Sequence, residues 1–256
     1  MENRLRSSVF MLIAVMLLLS MACNISSPRT RKTETPTLLP PPPTRISANT
    51  ATPTTKPAAP QATPTQSKII LEDDFINPAI NGWSTTTTDS DFSILTRSFT
   101  NGKYLWVIRS KRGFTSTVSP KMDPVENFIA SVDIKILQGD KETVRAGLIV
   151  RQVDSNNYYY IGFSEAGSVI AFKFQNGQWK NLLQNPVNTP AIVSGKENKL
   201  MVSGIGPNFT VMINNQNVLQ FTEDQLKAGS IGLICEITVA NLDAKIEFDN
   251  LKVERP

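Results

Sequence analysis

The 256-residue sequence contains no histidine and only two cysteines, Cys23 and Cys235. Because histidine is the commonest general base at neutral pH and the commonest metal ligand, its absence excludes the usual histidine-based catalytic and zinc sites. Two cysteines cannot build a disulfide framework if one of them is lipidated. Cys235 ends an apolar run, residues 231–235, so we expect a buried, unpaired and unreactive thiol there.

The part of the chain that follows residue 66 also lacks a strong net charge. Seven of its 26 basic residues and two of its 22 acidic residues precede residue 67, which leaves 19 basic and 20 acidic residues in the remainder. A nearly neutral domain offers no electrostatic surface for a polyanion. We therefore expect no nucleic acid partner, despite the overall formal charge of +4.

Residues 1–22 have the pattern of a secretory signal peptide. Arg4 and Arg6 precede an apolar stretch, residues 9–19, that is too short to span a bilayer. Residues 19–23, Leu-Ser-Met-Ala-Cys, resemble the lipobox of bacterial lipoproteins, which implies lipidation of Cys23 and attachment to the outer face of the cell membrane through the lipid alone. That family prefers leucine where this chain has Ser20, so an ordinary signal peptide and an uncleaved anchor stay open as alternatives.

Residues 23–66 have the composition of a tether. Ten prolines and eleven threonines occupy residues 27–66, including four consecutive prolines at 40–43. This composition cannot bury a core, and proline favours the extended polyproline II conformation. At roughly 3.1 Å per residue, we expect a disordered, semi-rigid spacer on the order of 100 Å long.

From residue 67 to residue 256 the apolar side chains recur with a period of two, which predicts strands with one buried face. Tyr104, Trp106 and Ile108 alternate in this way. Further strands are predicted at residues 128–136, 145–150, 158–163, 169–174, 198–203, 209–213, 218–221, 230–236 and 244–253. Turn signals separate them at Asn101-Gly102, 155–157, Ala166-Gly167, Asn176-Gly177 and Asn214-Asn215, where Asn and Gly tolerate the positive φ of tight hairpins.

About a dozen strands without helical crossovers predict one all-β domain, a two-sheet antiparallel jelly-roll sandwich. The last predicted strand contains an irregularity. Ile246 and Phe248 share one phase of the alternation, whereas Leu251 and Val253 share the other. Both pairs can point inward only if the strand slips by one residue, which predicts a β-bulge at residues 249–250.

Several motifs along this domain resemble the concanavalin A-like lectin and glucanase jelly roll, with laminin-G-like and 3-keto-disaccharide-hydrolase-like domains as the nearest relatives. They are residues 71–75 (LEDDF) with 81–83 (NGW), 145–151 (RAGLIVR), 154–160 (DSNNYYY), 172–179 (FKFQNGQW) and 248–253 (FDNLKV). The chain has Asn214-Asn215 where the family usually has Asn-Gly. The resemblance implies a sugar-related function, either binding or hydrolysis.

Hydrolysis has weak support in the sequence. Glucanases of this fold carry three acids on one strand face, so that one carboxylate attacks while another donates a proton. The nearest match is Glu247-Phe248-Asp249, but Asn250, Leu251 and Lys252 follow it, so the third acid is missing. We therefore expect a binding domain without catalysis, and keep a 3-keto-disaccharide-type hydrolase and a structural or adhesion domain with a protein partner as alternatives.

Binding has a candidate surface, because alternation places Tyr158 and Tyr160 on one face of a strand and Tyr159 on the other. If Tyr159 packs in the core, the other two are exposed and can stack on sugars. Residues that could join them are Arg145, Arg151, Asn157, Lys173 and Trp179. In the alternative interpretation, the tyrosines pack on an adjacent strand and Trp179 covers the edge of the core.

A structural calcium ion is a further hypothesis, which follows from the resemblance. The first and last strands of such jelly rolls often lie close together and commonly hold calcium. Glu72, Asp73, Asp74 and Asp249 would supply the hard oxygen ligands that calcium prefers.

Overall fold

A computed structural model of the chain describes residues 68–77 and 81–256. Cys23, the proposed signal peptide and the proposed tether lie outside the described residues, so those inferences stay predictions. Within the described residues the regular secondary structure consists of β-strands. No helix among these residues is long and apolar enough to cross a membrane.

The described residues form sixteen strands. They are β1 (Lys68–Asp73), β2 (Thr87–Asp89), β3 (Ser93–Thr100), β4 (Lys103–Ser110), β5 (Phe114–Val118), β6 (Phe128–Gln138), β7 (Val144–Asp154), β8 (Asn157–Ser164), β9 (Ser168–Gln175), β10 (Gln178–Asn181), β11 (Val187–Asn188), β12 (Asn198–Ile205), β13 (Asn208–Ile213), β14 (Gln216–Thr222), β15 (Ser230–Ile237) and β16 (Asp243–Arg255).

These strands pair into two antiparallel sheets. The first sheet has nine strands in the order β14-β13-β12-β6-β16-β4-β3-β2, and β1 pairs with β16. The second has seven strands in the order β10-β9-β8-β7-β15-β5, and β11 pairs with β9. The predicted fold class, an all-β sandwich of two antiparallel sheets, is confirmed.

One hydrophobic core lies between the sheets. Trp106, Phe128 and Phe248 from the first sheet and Tyr159 and Leu233 from the second are all completely buried in it. Burial of such a side chain contributes roughly 1.5–3 kcal/mol to stability, so the alternation seen in the sequence is what holds the two layers together.

The hairpin turns have the backbone that their residues predict. φ is +54° at Asn101 and +69° at Gly102, and +50° at Asn214 and +65° at Asn215. Two consecutive positive φ angles are the mark of the type I′ turn, which matches the twist of the flanking strands. Asn215 thus adopts the conformation for which glycine is more usual.

The predicted bulge in the last strand is also present. Asp249 pairs with Asp133 of β6, and Lys252 pairs with Ser131. Between these two pairs β16 therefore contains one more residue than β6. Asn250 takes the extra position with a φ of +49°. The slip restores the phase, because the apolar residues on both sides of the bulge are buried.

Cys235 is a free thiol in the middle of β15, and its side chain is completely buried. Burial in apolar surroundings raises its pKa to about 12, so the thiol stays protonated at neutral pH. The expectation of a buried cysteine is confirmed.

Candidate functional site

Strand β8 presents alternate side chains to two different environments. Tyr159 and Ile161 point into the core between the sheets, whereas Tyr158 and Tyr160 belong to a second cluster on the opposite, outer face of the second sheet. The predicted division of these tyrosines between two faces is confirmed. Of the two interpretations of their exposure, the structure agrees with the alternative: Tyr158 and Tyr160 pack on aromatic side chains of neighbouring strands and are only 4% and 1% exposed.

Trp179 is the reason for that burial. It lies opposite Phe174 in the β9–β10 pair, and its ring centroid is 4.6 Å from that of Phe174. The centroids of Tyr158, Phe172 and Tyr160 lie 5.9, 6.0 and 6.3 Å from it. Trp179 itself stays 45% exposed. We call these five side chains the aromatic cluster; four of its rings support one indole that solvent can reach.

Gly162 makes room for the aromatic cluster. A Cβ atom at this position would lie 2.8 Å from Cε2 of Tyr160 and 2.5 Å from the carbonyl oxygen of Ala146. The ring of Tyr160 therefore lies flat against the backbone of its own strand, where any side chain at residue 162 would displace it.

Polar side chains on the same outer face continue from the aromatic cluster. Arg145 of β7 donates from Nη1 to Oε2 of Glu236 on β15 at 3.0 Å, and each side chain is about one quarter exposed. Tyr160 Oη, Ser164 Oγ and Arg145 Nε are buried and have no hydrogen-bond partner among the described residues. We call Arg145, Tyr160, Ser164 and Glu236 the polar patch. Burial raises the pKa of Tyr160 well above its ordinary value, so its hydroxyl is a neutral donor.

A groove of about 860 Å³ crosses this side of the molecule. Trp179, Tyr158 and Phe174 line it at one end, Glu236 lies in its wall, and the side chains of β3 and β5 line the other end. Many lining residues are serines and threonines, which supply short hydroxyl groups. The size falls within the range of small-molecule sites, which is roughly 300–1,000 Å³.

Arg151 does not join this surface, contrary to expectation. It is 1% exposed, and its guanidinium donates to the carbonyl oxygens of Leu226, Glu126 and Gly206 at 3.0, 3.2 and 2.5 Å. It also lies over the ring of Phe209, 4.8 Å from the centroid. The cause is the register shift that follows Val150 in β7, together with a φ of +50° at Arg151, which turns the side chain away from the outer face.

Lys173 and Asn157 also lie away from the outer face. Lys173 pairs in register with Tyr159, so it shares the core-facing side of the sheet, where its Nζ lies 3.7 Å from Glu223. Asn157 donates to both carboxylate oxygens of Asp154 at 2.9 Å and closes the β7–β8 turn. Of the seven predicted binding residues, the outer face brings together Tyr158, Tyr160, Trp179 and Arg145.

The four predicted calcium ligands are not gathered into one site. Glu72, Asp73 and Asp74 line a cavity on the first sheet that does not include Asp249. Asp73 is buried and accepts three hydrogen bonds, and Asp249 pairs with Lys103. Among residues 68–77 and 81–256, no group of three or more acidic, histidine or cysteine side chains could hold a metal ion. The predicted set fails because two of its carboxylates already have protein partners.

The acid pair considered for hydrolysis lies elsewhere too. Glu247 and Asp249 belong to β16 in the first sheet, and neither of them lines the groove. Among the described residues that line the groove, Glu236 is the single carboxylate.

Several residues of this surface were not predicted from the sequence. They are Phe172, Phe174, Ser164, Glu236 and Arg97. A signal for two of them was present: the two-residue turn at Asn176-Gly177 fixes the hairpin register and places Trp179 opposite Phe174. The pairing of Arg145 with Glu236 depends on strands that are 91 residues apart, for which a single sequence gives no register.

No protein-family model matches the chain, and none of the curated proteins matches it. Solved structures do share its architecture. A GlcNAcα1-4Gal-releasing endo-β-galactosidase from Clostridium perfringens aligns with a TM-score of 0.54 and 11% identity, over 77% of this chain and 65% of that chain. A laminarinase from Flavobacterium sp. UMI-01 aligns with a TM-score of 0.52 and 11% identity, over 73% of this chain and all of that chain.

A carbohydrate-binding module from Bacillus subtilis is 23% identical, with a TM-score of 0.46 over 69% of this chain and 97% of that chain. Identities this low show a shared fold and leave the ligand to be argued from the site. The chain's β-domain therefore has the same jelly-roll fold as the endo-β-galactosidase and the laminarinase, which is the fold that its motifs predicted.

Proposed function

We propose that the domain binds carbohydrate in the groove that Trp179 and Glu236 line. The observation that carries this proposal is the half-exposed indole of Trp179, which two buried tyrosine rings and two partly buried phenylalanine rings hold in place. The apolar CH face of a sugar ring can stack on such a surface. Because the indole is already fixed, little conformational entropy is lost on binding.

The polar patch supports the same function. Arg145 and Glu236 hold each other in position while each keeps part of its surface accessible. Glu236 lines the groove, and the serine and threonine hydroxyls of the groove wall supply further donors and acceptors. An apolar platform beside a few fixed donors and acceptors is the usual composition of a site that recognises a hydroxyl-rich ligand.

We propose that recognition occurs without catalysis. Hydrolysis of a glycoside requires two carboxyl groups on either side of the scissile bond, separated by roughly 5 to 9.5 Å. The described part of the groove lining contributes Glu236, whose carboxylate is engaged by Arg145. A release of reducing ends from any polysaccharide would favour the hydrolase alternative instead.

We further propose that this domain is displayed outside the cell on a lipid-anchored tether. The apolar segment before Cys23 and the proline- and threonine-rich residues 27–66 support this arrangement. A spacer of that composition would hold a binding domain away from the membrane and bring it within reach of polymers in or beyond the envelope.

Binding can be tested by affinity electrophoresis and calorimetry with a panel of soluble glucans, galactans, fructans and cell-wall polysaccharides. We expect at least one of them to retard the wild-type protein. Trp179→Ala should weaken that binding at least tenfold, which corresponds to about 1.4 kcal/mol. Trp179→Phe should retain part of the affinity, because it keeps an aromatic face.

Leu137→Ala provides the control, because Leu137 is 43% exposed on the first sheet and lies outside the groove. Equal affinities for Trp179→Ala and Leu137→Ala would place the sugar elsewhere and contradict the proposed site. Failure of the whole panel, together with an envelope protein that co-purifies with the wild type, would favour the adhesion alternative.

A further inference from the structure

Arg97 lies in the part of the groove wall that β3 contributes. It extends from β3 of the first sheet toward β5 of the second, lines the groove and is 8% exposed. Its Nη2 donates to Ser116 Oγ at 2.6 Å and to the carbonyl oxygen of Thr117 at 3.4 Å. The guanidinium lies over the ring of Trp106, 4.4 Å from the centroid.

The hydrogen bonds of this guanidinium are incomplete. Arginine has five N–H donors, and the Nε donor of Arg97 is buried with no partner among the described residues. The Nε donors of Arg145 and Arg151 also lack a partner among the described residues, but the terminal nitrogens of these two arginines are better paired. Arg151 donates to three carbonyl oxygens, and Arg145 pairs with Glu236. Within residues 68–77 and 81–256, no carboxylate forms an ion pair with Arg97.

This arrangement is costly for folding. Removing a guanidinium from water without an anionic partner loses solvation energy that a cation–π contact and two hydrogen bonds recover only in part. Burial lowers the pKa of Arg97, but a guanidinium stays protonated in proteins, so the positive charge persists at the groove wall. Glu236 cannot balance this charge, because it already pairs with Arg145.

We propose that the groove selects acidic polysaccharides, with a carboxylate or sulfate group of the sugar chain bound by Arg97. This inference rests on the proposed carbohydrate site and names its ligand class. A planar guanidinium without an anionic partner matches a carboxylate or sulfate oxygen pair in geometry as well as charge. The sugar chain would extend from Arg97 toward the indole of Trp179, because both line the same groove.

The test compares polymers that differ only in their charged group. Dextran sulfate is measured against dextran, and polygalacturonate against its methyl-esterified form, by calorimetry at two salt concentrations. We expect at least one acidic polymer to bind ten times or more tightly than its neutral partner, and the two pairs separate sulfate from carboxylate recognition. Trp179→Ala should weaken binding of that same polymer.

The variants then separate recognition from structure. Arg97→Met keeps the aliphatic stem and removes the charge, so we expect loss of the acidic preference with a melting temperature equal to or above that of the wild type. Arg97→Lys keeps the charge without the planar fork and should retain part of the preference. Arg109→Gln is the control, because Arg109 is an exposed arginine that pairs with Asp243 on the first sheet.

Equal binding of acidic and neutral polymers, or an undiminished preference in Arg97→Met, would overturn the inference while leaving the sugar site in place. A large fall in the melting temperature of Arg97→Met would also overturn it, since Arg97 would then be a structural residue. If no polymer of either kind binds the wild type, the proposed function fails as well.

Discussion

Asp73 shows how one buried carboxylate fixes the beginning of the domain. It ends β1, and its Oδ1 accepts from the backbone N–H of Phe75 at 2.8 Å. Its Oδ2 accepts from Asn81 Nδ2 at 2.8 Å and from Trp83 Nε1 at 2.7 Å. The bond to Trp83 holds its indole beside the rings of Phe75 and Tyr104. The carboxylate of Asp73 therefore connects β1, the following turn and the core.

We expect Asp73→Asn to lower the free energy of unfolding by about 1–3 kcal/mol, because the amide nitrogen cannot accept and leaves buried donors unpaired. Asp74→Asn is the matched control, since Asp74 is exposed and accepts one local bond from Ile76 at 3.1 Å. Urea unfolding followed by tryptophan fluorescence measures both. Indistinguishable midpoints for the two variants would contradict this role of Asp73.

At the residue scale, the sequence predicts which face a side chain occupies better than it predicts exposure. Tyr158 and Tyr160 lie on the predicted face, but Trp179 and the phenylalanines of β9 cover them. Exposure depends on neighbouring strands, whose register the alternation of one strand does not contain. Asp73 was predicted to bind calcium for the same reason. The sequence shows that residue 73 is an acid, but it does not show that three hydrogen-bond donors surround its carboxylate.

Among the strands, apolar alternation identified most of the inner ones, but it missed β3 and several polar strands at the sheet edges. The central strands β6, β7, β8, β15 and β16 all coincide with predicted strands, because each has a buried face rich in branched or aromatic residues. By contrast, β2 and β10 are exposed throughout, and β5 is only partly buried. These edge strands form because they pair with a neighbour, and their own sequences carry little period-two signal.

Gly162 gives a prediction for strand β8. Because a Cβ atom there would meet the Ala146 carbonyl and the Tyr160 ring, Gly162→Ala should lower the free energy of unfolding by about 1–3 kcal/mol. It should also weaken carbohydrate binding by displacing Tyr160 beneath Trp179. In the control Gly113→Ala the nearest contact is 3.1 Å, so a smaller loss is expected in thermal unfolding. If both substitutions cost the same, the close packing at Gly162 has no energetic importance.

For the whole molecule, the free energy of unfolding should fall at alkaline pH. Burial raises the pKa of Tyr158, Tyr159 and Cys235 to about 12 each, and it also raises the pKa of Tyr160 well above its ordinary value. In the unfolded chain, cysteine and tyrosine ionise near about 8.5 and 10. Above those values the unfolded state loses protons that the folded state still holds, so the free energy of unfolding falls as pH rises.

We therefore expect stability to decline from about pH 9 upward, by as much as roughly 1.4 kcal/mol per pH unit for each ionising group. Between pH 6 and 8 the urea midpoint should stay nearly constant, because the chain has no histidine. Urea titrations from pH 6 to 11 measure both regions. A constant midpoint through pH 11 would show that the buried phenols and the thiol do not govern the alkaline limit.

The two faces of strand β8 lie in different environments, and this difference affects how such a domain can evolve. The core-facing positions of β8 and the buried tyrosines and Gly162 of its other face are constrained by folding, whereas Trp179, which rests on those tyrosines, is 45% exposed. Under the proposed function, substitutions at Trp179 can change ligand preference without unfolding the sandwich, so that preference is free to diverge among proteins that keep the same architecture. Inserting a single residue into β8 would exchange the two faces and destroy stability and recognition together.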